Sequence, residues 1–152
     1  SKSWAMTGWR LGWITGPKLV MDGVKKINVS SATHVATFMM PAATVALGLE
    51  KETAAMAASF KERRGIIHGL LKELPGIIVP EPEGAFYAFC DVTGTGMDDI
   101  EFATRALEEA KVQLIPGSLM ESGEGFVRIS YATSTENIHE GVRRLSDWLN
   151  SL

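Results

Sequence analysis

The sequence predicts an α/β fold, and three observations carry that expectation. Short apolar runs of strand character alternate with longer segments whose apolar residues recur at three- and four-residue spacing. Apolar residues make up 45% of the 152 and charged residues 22%, a globular balance that excludes a disordered, collagen-like or low-complexity chain. Gly16-Pro17, Pro75-Gly76 and Pro116-Gly117 fall between the periodic segments, where breakers belong.

Taken in order, residues 11–15 (LGWIT) read as a buried strand. Gly16-Pro17 opens a helix with proline at its first position, and Val20, Val24 and Ile27 form one face of it. The small polar residues 28–33 end it. Residues 38–49, apolar and alanine-rich, predict a buried helix. Residues 50–74 predict one long helix with a stripe of Met56, Phe60, Ile67, Leu70, Leu71 and Leu74; Arg63 and Arg64 lie off the stripe, and Pro75-Gly76 stops it. A short strand follows at 76–79, a turn-rich connection at 80–84, an aromatic strand at 85–90 (AFYAFC) and a loop at 93–96. Residues 98–110 predict a helix facing the core with Ile100, Ala103, Leu107 and Ala110. Residues 112–115 are a strand closed by Pro116-Gly117, and 126–131 are another. Thr133 and Glu136 fit a capping box for a last helix whose apolar face is Ile138, Val142, Leu145 and Leu149.

The two halves differ. The first third supplies one strand, and one strand makes no sheet, so its partners are expected outside this chain. The second half has three or four strands and three helices, enough for a small α/β layer. No internal repeat or flexible linker separates them.

The net charge of −3 lacks the basic footprint of a nucleic-acid binder. Cys90, alone, forms no internal disulfide and fits a reducing compartment, so a cytoplasmic location is expected. No apolar run reaches the ~18–20 residues that span a bilayer. The chain shows neither an initiator methionine nor a signal sequence, and a processed, cut or partial chain is the expectation.

The residues that carry chemistry begin at the first position: Ser1-Lys2-Ser3-Trp4-Ala5-Met6-Thr7-Gly8-Trp9-Arg10-Leu11-Gly12. A lysine precedes a glycine-bearing bend, and an arginine stands at the mouth of an apolar run. Two cations eight residues apart among small residues and tryptophans suit an anionic ligand. A lysine amine in a dry, cationic setting is held neutral and becomes nucleophilic, and an arginine grips phosphate with two parallel donors. By themselves these readings are weak, since most lysines are surface lysines. In residues 126–131, strand alternation sets Val127, Ile129 and Tyr131 on one face and Phe126, Arg128 and Ser130 on the other. A guanidinium in an apolar strand either meets an anion or sits on an edge and reaches water, and the strand alone favours the edge.

The whole opening run resembles the cofactor-lysine segment of class I/II aminotransferases, among the fold-type I enzymes that use pyridoxal 5'-phosphate. That segment reads Ser-Lys, one residue, an aromatic, a small residue, Met-Thr-Gly, an aromatic, Arg, Leu or Ile, Gly. The resemblance implies that Lys2 holds the cofactor aldehyde as a Schiff base, that Arg10 binds its phosphate, and that Ser1 supports the phosphate or the lysine. Residues 127–134 (VRISYATS) are similar to the family's C-terminal segment, and this assigns the substrate α-carboxylate to Arg128. Residues 82–89 (PEGAFYAF) resemble the strand that flanks the substrate; for Phe86 and Tyr87, substrate contact and plain core packing stand level. Residues 112–118 (VQLIPGS) resemble the strand and turn beside the substrate entrance.

The matches run in family order along the whole chain. The implied fold is the C-terminal part of a fold-type I transferase: residues 1–58 as the end of the large cofactor domain, 59–152 as the small α/β domain, and the helix at about 50–74 linking them. The acid for the pyridine nitrogen, the tyrosine and asparagine on the ring oxygen and the aromatic stacked on the ring belong upstream in the family and match nothing here. The implied activity is transfer of an amino group between an amino acid, aspartate or one of broader range, and a 2-oxo acid, in a homodimer. Residues 28–40 are the expected stretch nearest the partner. No nucleic-acid or membrane partner is expected. The alternatives are a cofactor-binding sensor domain of a transcription regulator, against which Met6-Thr7-Gly8 speaks, and a piece that is catalytically inert when isolated.

Other candidates carry less. His34, His68 and His139 show no ligand spacing, so no metal is expected. Cys90 reads as a small core residue. Lys25-Lys26, Arg63-Arg64 and Arg143-Arg144 read as solvated helix faces.

Overall fold

The computed structural model describes residues 1–152 and divides into two compact units, Ser1–Ala58 and Ser59–Leu152. In the first unit, a 3-10 turn at Thr7–Trp9 is followed by helices α1 (Lys18–Ser31) and α2 (Met40–Leu47) and the first turns of α3 (Glu50–Leu71). Pro17 is the residue before α1 rather than inside it, with its carbonyl accepting from Met21 N–H at 3.0 Å. Residues 11–15 form no strand, because no other segment of the chain pairs with them. The expected buried helix at 38–49 is a 3-10 turn at Thr37–Met39 leading into α2, and Phe38, Met40, Val45 and Leu47 are exposed. Its apolar composition promised burial, yet in this unit only Ala46 is buried.

The second unit has a core of its own. It contains the rest of α3, β1 (Tyr87–Asp91), α4 (Asp99–Glu108), β2 (Ile115–Pro116), β3 (Phe126–Ser130) and α5 (Thr135–Leu149). The three strands form an antiparallel sheet in the order β1-β3-β2, with Phe89 opposite Arg128 and Cys90 opposite Val127. Residues 76–79 are not a strand and make only one bridge, Ile78 to Asp91. The strand expected at 112–115 shortens to the two residues of β2.

Side-chain alternation closes the core over one face of the sheet. Ala88, Cys90 and Val127 pack with Ile67 and Leu71 of α3, Phe102 and Ala106 of α4, and Ile138, Val142 and Leu145 of α5. The larger of these, such as Ile67, Leu71, Phe102 and Leu145, contribute about 1.5–3 kcal/mol each by leaving water. The expected stripe of α3 holds at Ile67 and Leu71, and Leu74 is buried in the turn after the helix. The face of α5 holds too, with Trp148 added to it.

The face of α4 departs in part from expectation. Ala103 and Ala110 are buried as expected, but Ile100 is 55% and Leu107 49% exposed, while Phe102 and Ala106 are buried in their stead. The cause is Asp99, only 4% exposed, whose carboxylate accepts from Ser118 N–H at 2.8 Å and Gly125 N–H at 3.2 Å. Those bonds turn the first residue of α4 inward and carry Phe102 and Ala106 with it. The capping residue of α5 is Ser134, whose hydroxyl accepts from Asn137 N–H, and Thr133 instead bonds the Asn137 side chain.

No helix is long and apolar enough to cross a membrane.

Candidate functional site

In the first unit the opening residues close into a loop. Ala5 N–H donates to the Lys2 carbonyl at 3.2 Å and Met6 N–H to the Ser1 carbonyl at 2.8 Å. The Ser1 hydroxyl donates to the Leu11 carbonyl at 3.1 Å. That bond joins the two ends of the loop, so Lys2 and Arg10 each stand one residue from its neck. With consecutive Cα atoms about 3.8 Å apart, the Lys2 and Arg10 backbones are near one another at this neck.

Ser1 thus spends its proton on the loop that carries Lys2. Lys2 and Arg10 are both exposed. One Arg10 guanidinium nitrogen donates to the Thr7 carbonyl at 3.1 Å, which leaves most of the five N–H donors of that group for an anion. Ala5 and Arg10 hold φ near +50°, a costly conformation without glycine. The first acidic residue along the sequence is Asp22, and it pairs with Lys18. A cationic, acid-free loop with a primary amine and a spare guanidinium fits a phosphate-bearing aldehyde in charge and in donor chemistry. Behind it Trp4, Met6, Leu11, Ala46 and Leu47 leave a cavity of only about 10 Å³, so this side of the loop is packing.

In the second unit Arg128 lies on the central strand β3, not on an edge. It is half-buried, its Cζ is 4.5 Å from the centroid of the Tyr87 ring, and a guanidinium nitrogen reaches the Met120 sulfur at 3.9 Å. Neither partner carries charge, so the cation is held in place with its net charge uncompensated. Phe86 sits just before β1 and packs on Phe60 at 5.8 Å and on Tyr87 at 4.6 Å. Phe86 is therefore drawn into the core while Tyr87 serves Arg128.

Two neighbours escaped the sequence reading. Tyr131, 1% exposed, donates its hydroxyl to the Ala85 carbonyl at 3.1 Å, and its N–H donates to the Phe86 carbonyl at 3.0 Å. Arg64, placed on a solvated face by its helical spacing, donates to the Pro82 carbonyl at 3.1 Å and pairs with Glu81 at 3.5 Å. Alternation correctly placed Tyr131 on the core face, and the need of a buried phenol for a partner is the one signal that marked it. Nothing in the pattern marked Arg64.

The remaining titratable groups serve structure. Burial pushes the Cys90 thiol up to about 12, which keeps it an unreactive core residue. Burial would raise the Asp99 carboxyl, but the N–H donors of Ser118 and Gly125 outweigh it and hold it below its ordinary value. No cluster of histidine, cysteine and acid suits a metal ion.

These features, an amine and a spare guanidinium at the neck of one loop and a charged guanidinium on a sheet, define a chain suited to anionic small molecules. The chain belongs to the aminotransferase class I and II family, whose model matches residues 1–145. Members of that family use pyridoxal phosphate. It is 44% identical over 149 residues to the aspartate aminotransferase of Pyrococcus horikoshii, covering 95% of this chain and 38% of that protein. It is 43% identical over 151 residues to the aspartate aminotransferase of Thermotoga maritima, with 99% and 38% covered. Among solved structures, an aromatic aminotransferase from Pyrococcus horikoshii superposes with a TM-score of 0.94 at 37% identity, covering 99% of this chain and 41% of that one. The chain thus spans about two fifths of the length of the relatives it matches, and it corresponds to their C-terminal portion.

Proposed function

We propose that the whole protein is an aminotransferase that moves an amino group between an amino acid and a 2-oxo acid with bound pyridoxal 5'-phosphate. The observation that carries this reading is the Ser1–Leu11 hydrogen bond, which sets Lys2 and Arg10 at the neck of one loop. Pyridoxal phosphate supplies, when bound, an aldehyde that takes up the amino group and a ring that draws electrons from the substrate α-carbon.

The chain's own residues do the rest. Lys2 would hold the aldehyde covalently, and its amine would take and return the proton at the substrate α-carbon. Arg10 donates to the phosphate, and Ser1 holds the loop closed. Arg128 binds the substrate α-carboxylate with paired donors and so orients the bond to be broken. Tyr87 steadies that guanidinium, and Phe86 backs Tyr87.

In the same reading residues 1–58 end the large cofactor domain and 59–152 form the small one. The protein acts as a homodimer, with 28–40 nearest the partner, and works in the cytoplasm. Aspartate and aromatic amino acids are the first substrates to try, since the relatives carry those names. That the relatives are aminotransferases favours this reading over a regulator's sensor domain.

Borohydride reduction of the cofactor-loaded protein, followed by peptide mapping, tests it. Label is expected on Lys2; label on any other lysine overturns the assignment.

A further inference from the structure

We infer that the Tyr131 hydroxyl is a latch that fixes the bend at Ala85 and so sets the Tyr87 ring against the Arg128 guanidinium. Tyr131 is a positioning residue for carboxylate recognition, and this rests on the reading of Arg128 given above.

The contacts form a continuous chain. Tyr131 grips two successive carbonyls, that of Ala85 through its hydroxyl at 3.1 Å and that of Phe86 through its N–H at 3.0 Å. Ala85 has φ of 59°, a left-handed conformation that an alanine keeps only when its surroundings impose it. Immediately after this bend the chain enters β1 at Tyr87, whose ring lies 4.5 Å from the Arg128 Cζ. The other end of the connection is held by Arg64 on the Pro82 carbonyl. Tyr131 is also the residue that follows β3, the strand bearing Arg128, so one side chain ties β3 to the entry of β1, at the end of the ladder where Tyr87 stands opposite Ser130, two residues from Arg128.

Burial raises the Tyr131 phenol, with the charge of Arg64 pulling the other way, and the group keeps its proton and remains a donor at neutral pH. Phenylalanine at 131 retains the ring packing against Phe60 and removes only that donor.

The test is steady-state kinetics of the whole cofactor-loaded protein, with L-aspartate or L-phenylalanine as donor and 2-oxoglutarate as acceptor. Tyr131→Phe is expected to raise KM for the donor about tenfold while kcat moves less than about threefold. Adding Ala85→Gly to it returns KM to within about threefold of the wild type, because glycine holds a positive φ unaided. Arg64→Gln, which frees the other end of the connection, raises KM about threefold and serves where Tyr131→Phe does not fold.

Arg128→Gln is the reference. If it raises KM and neither Tyr131→Phe nor Arg64→Gln does, the latch is wrong and the carboxylate reading stands. If Arg128→Gln leaves KM unchanged, or the wild type turns over neither donor, both fall. A drop in kcat alone, or a rise in KM that Ala85→Gly does not reverse, also overturns the latch.

Discussion

Replacing Asp99 isolates what one buried carboxylate does for the second unit. Its two oxygens accept from two different backbone N–H groups, those of Ser118 and Gly125, and so tie the segment 117–125 to the start of α4. Hydrogen bonds to a charged acceptor contribute about 1.5–3 kcal/mol each, and the half-buried amides recover part of that from water when the acceptor is lost. Asp99→Ala is therefore expected to cost about 3 kcal/mol. Asp99→Asn is expected to cost nearly as much, about 2–3 kcal/mol, because an amide offers one oxygen and must turn its own donors toward the second N–H. For a chain this size either change lowers Tm by about 4–12 °C.

The pH dependence is also fixed in sign. The folded carboxyl lies below its ordinary value, so its contribution is complete above the unfolded pKa of about 3.9 and is lost as pH falls through the folded value. Urea unfolding of wild type and Asp99→Asn at pH 7 and below pH 4 reads both effects. A variant within about 0.5 kcal/mol of wild type at pH 7, or a gap that does not narrow in acid, would refute the reasoning.

Other outcomes follow from single contacts. Lys2→Ala is expected to lower kcat of the whole enzyme by at least about 10⁴-fold, measured at saturating cofactor, since one amine both anchors the aldehyde and moves the proton. Arg10→Gln should weaken cofactor retention about 10–100-fold in a dialysis series while borohydride still labels Lys2 when cofactor is in excess. A Cβ on Gly117 would stand 2.0 Å from the Gly123 carbonyl oxygen, so Gly117→Ala is expected to cost about 3 kcal/mol or more in urea, or to prevent folding of this unit. Cys90, with its thiol near 12, should resist iodoacetamide at pH 8 and react only once denaturant is added.

How much was legible in the sequence depends on where each residue finds its partners. The α5 face and the alternation of β3 were readable because local periodicity decides them. The opening loop was readable as a motif, yet the Ser1–Leu11 closure that gathers Lys2 and Arg10 spans ten residues and shows only in coordinates. On α4, Ala103 and Ala110 were placed rightly but Ile100 and Leu107 were not, because Asp99 bonds residues 19 and 26 positions away and those bonds turn the helix start inward. The strand expected at 11–15 failed for want of a neighbour, which no local pattern reports. Tyr131 and Arg64 were hidden for the same reason, since each acts on a carbonyl far along the chain and carbonyls are invisible in side-chain patterns.

The strand order has a consequence for biosynthesis. β1 and β2 are not paired with each other; apart from the single Ile78–Asp91 bridge, each relies for pairing on β3, the last of the three to leave the ribosome. Until residues 126–130 emerge, the earlier two present open edges and the aromatic run of β1 has nothing to zip against. Nascent chains stalled before that point should be the ones chaperones hold and proteases trim, whereas those stalled just beyond it can already assemble the sheet.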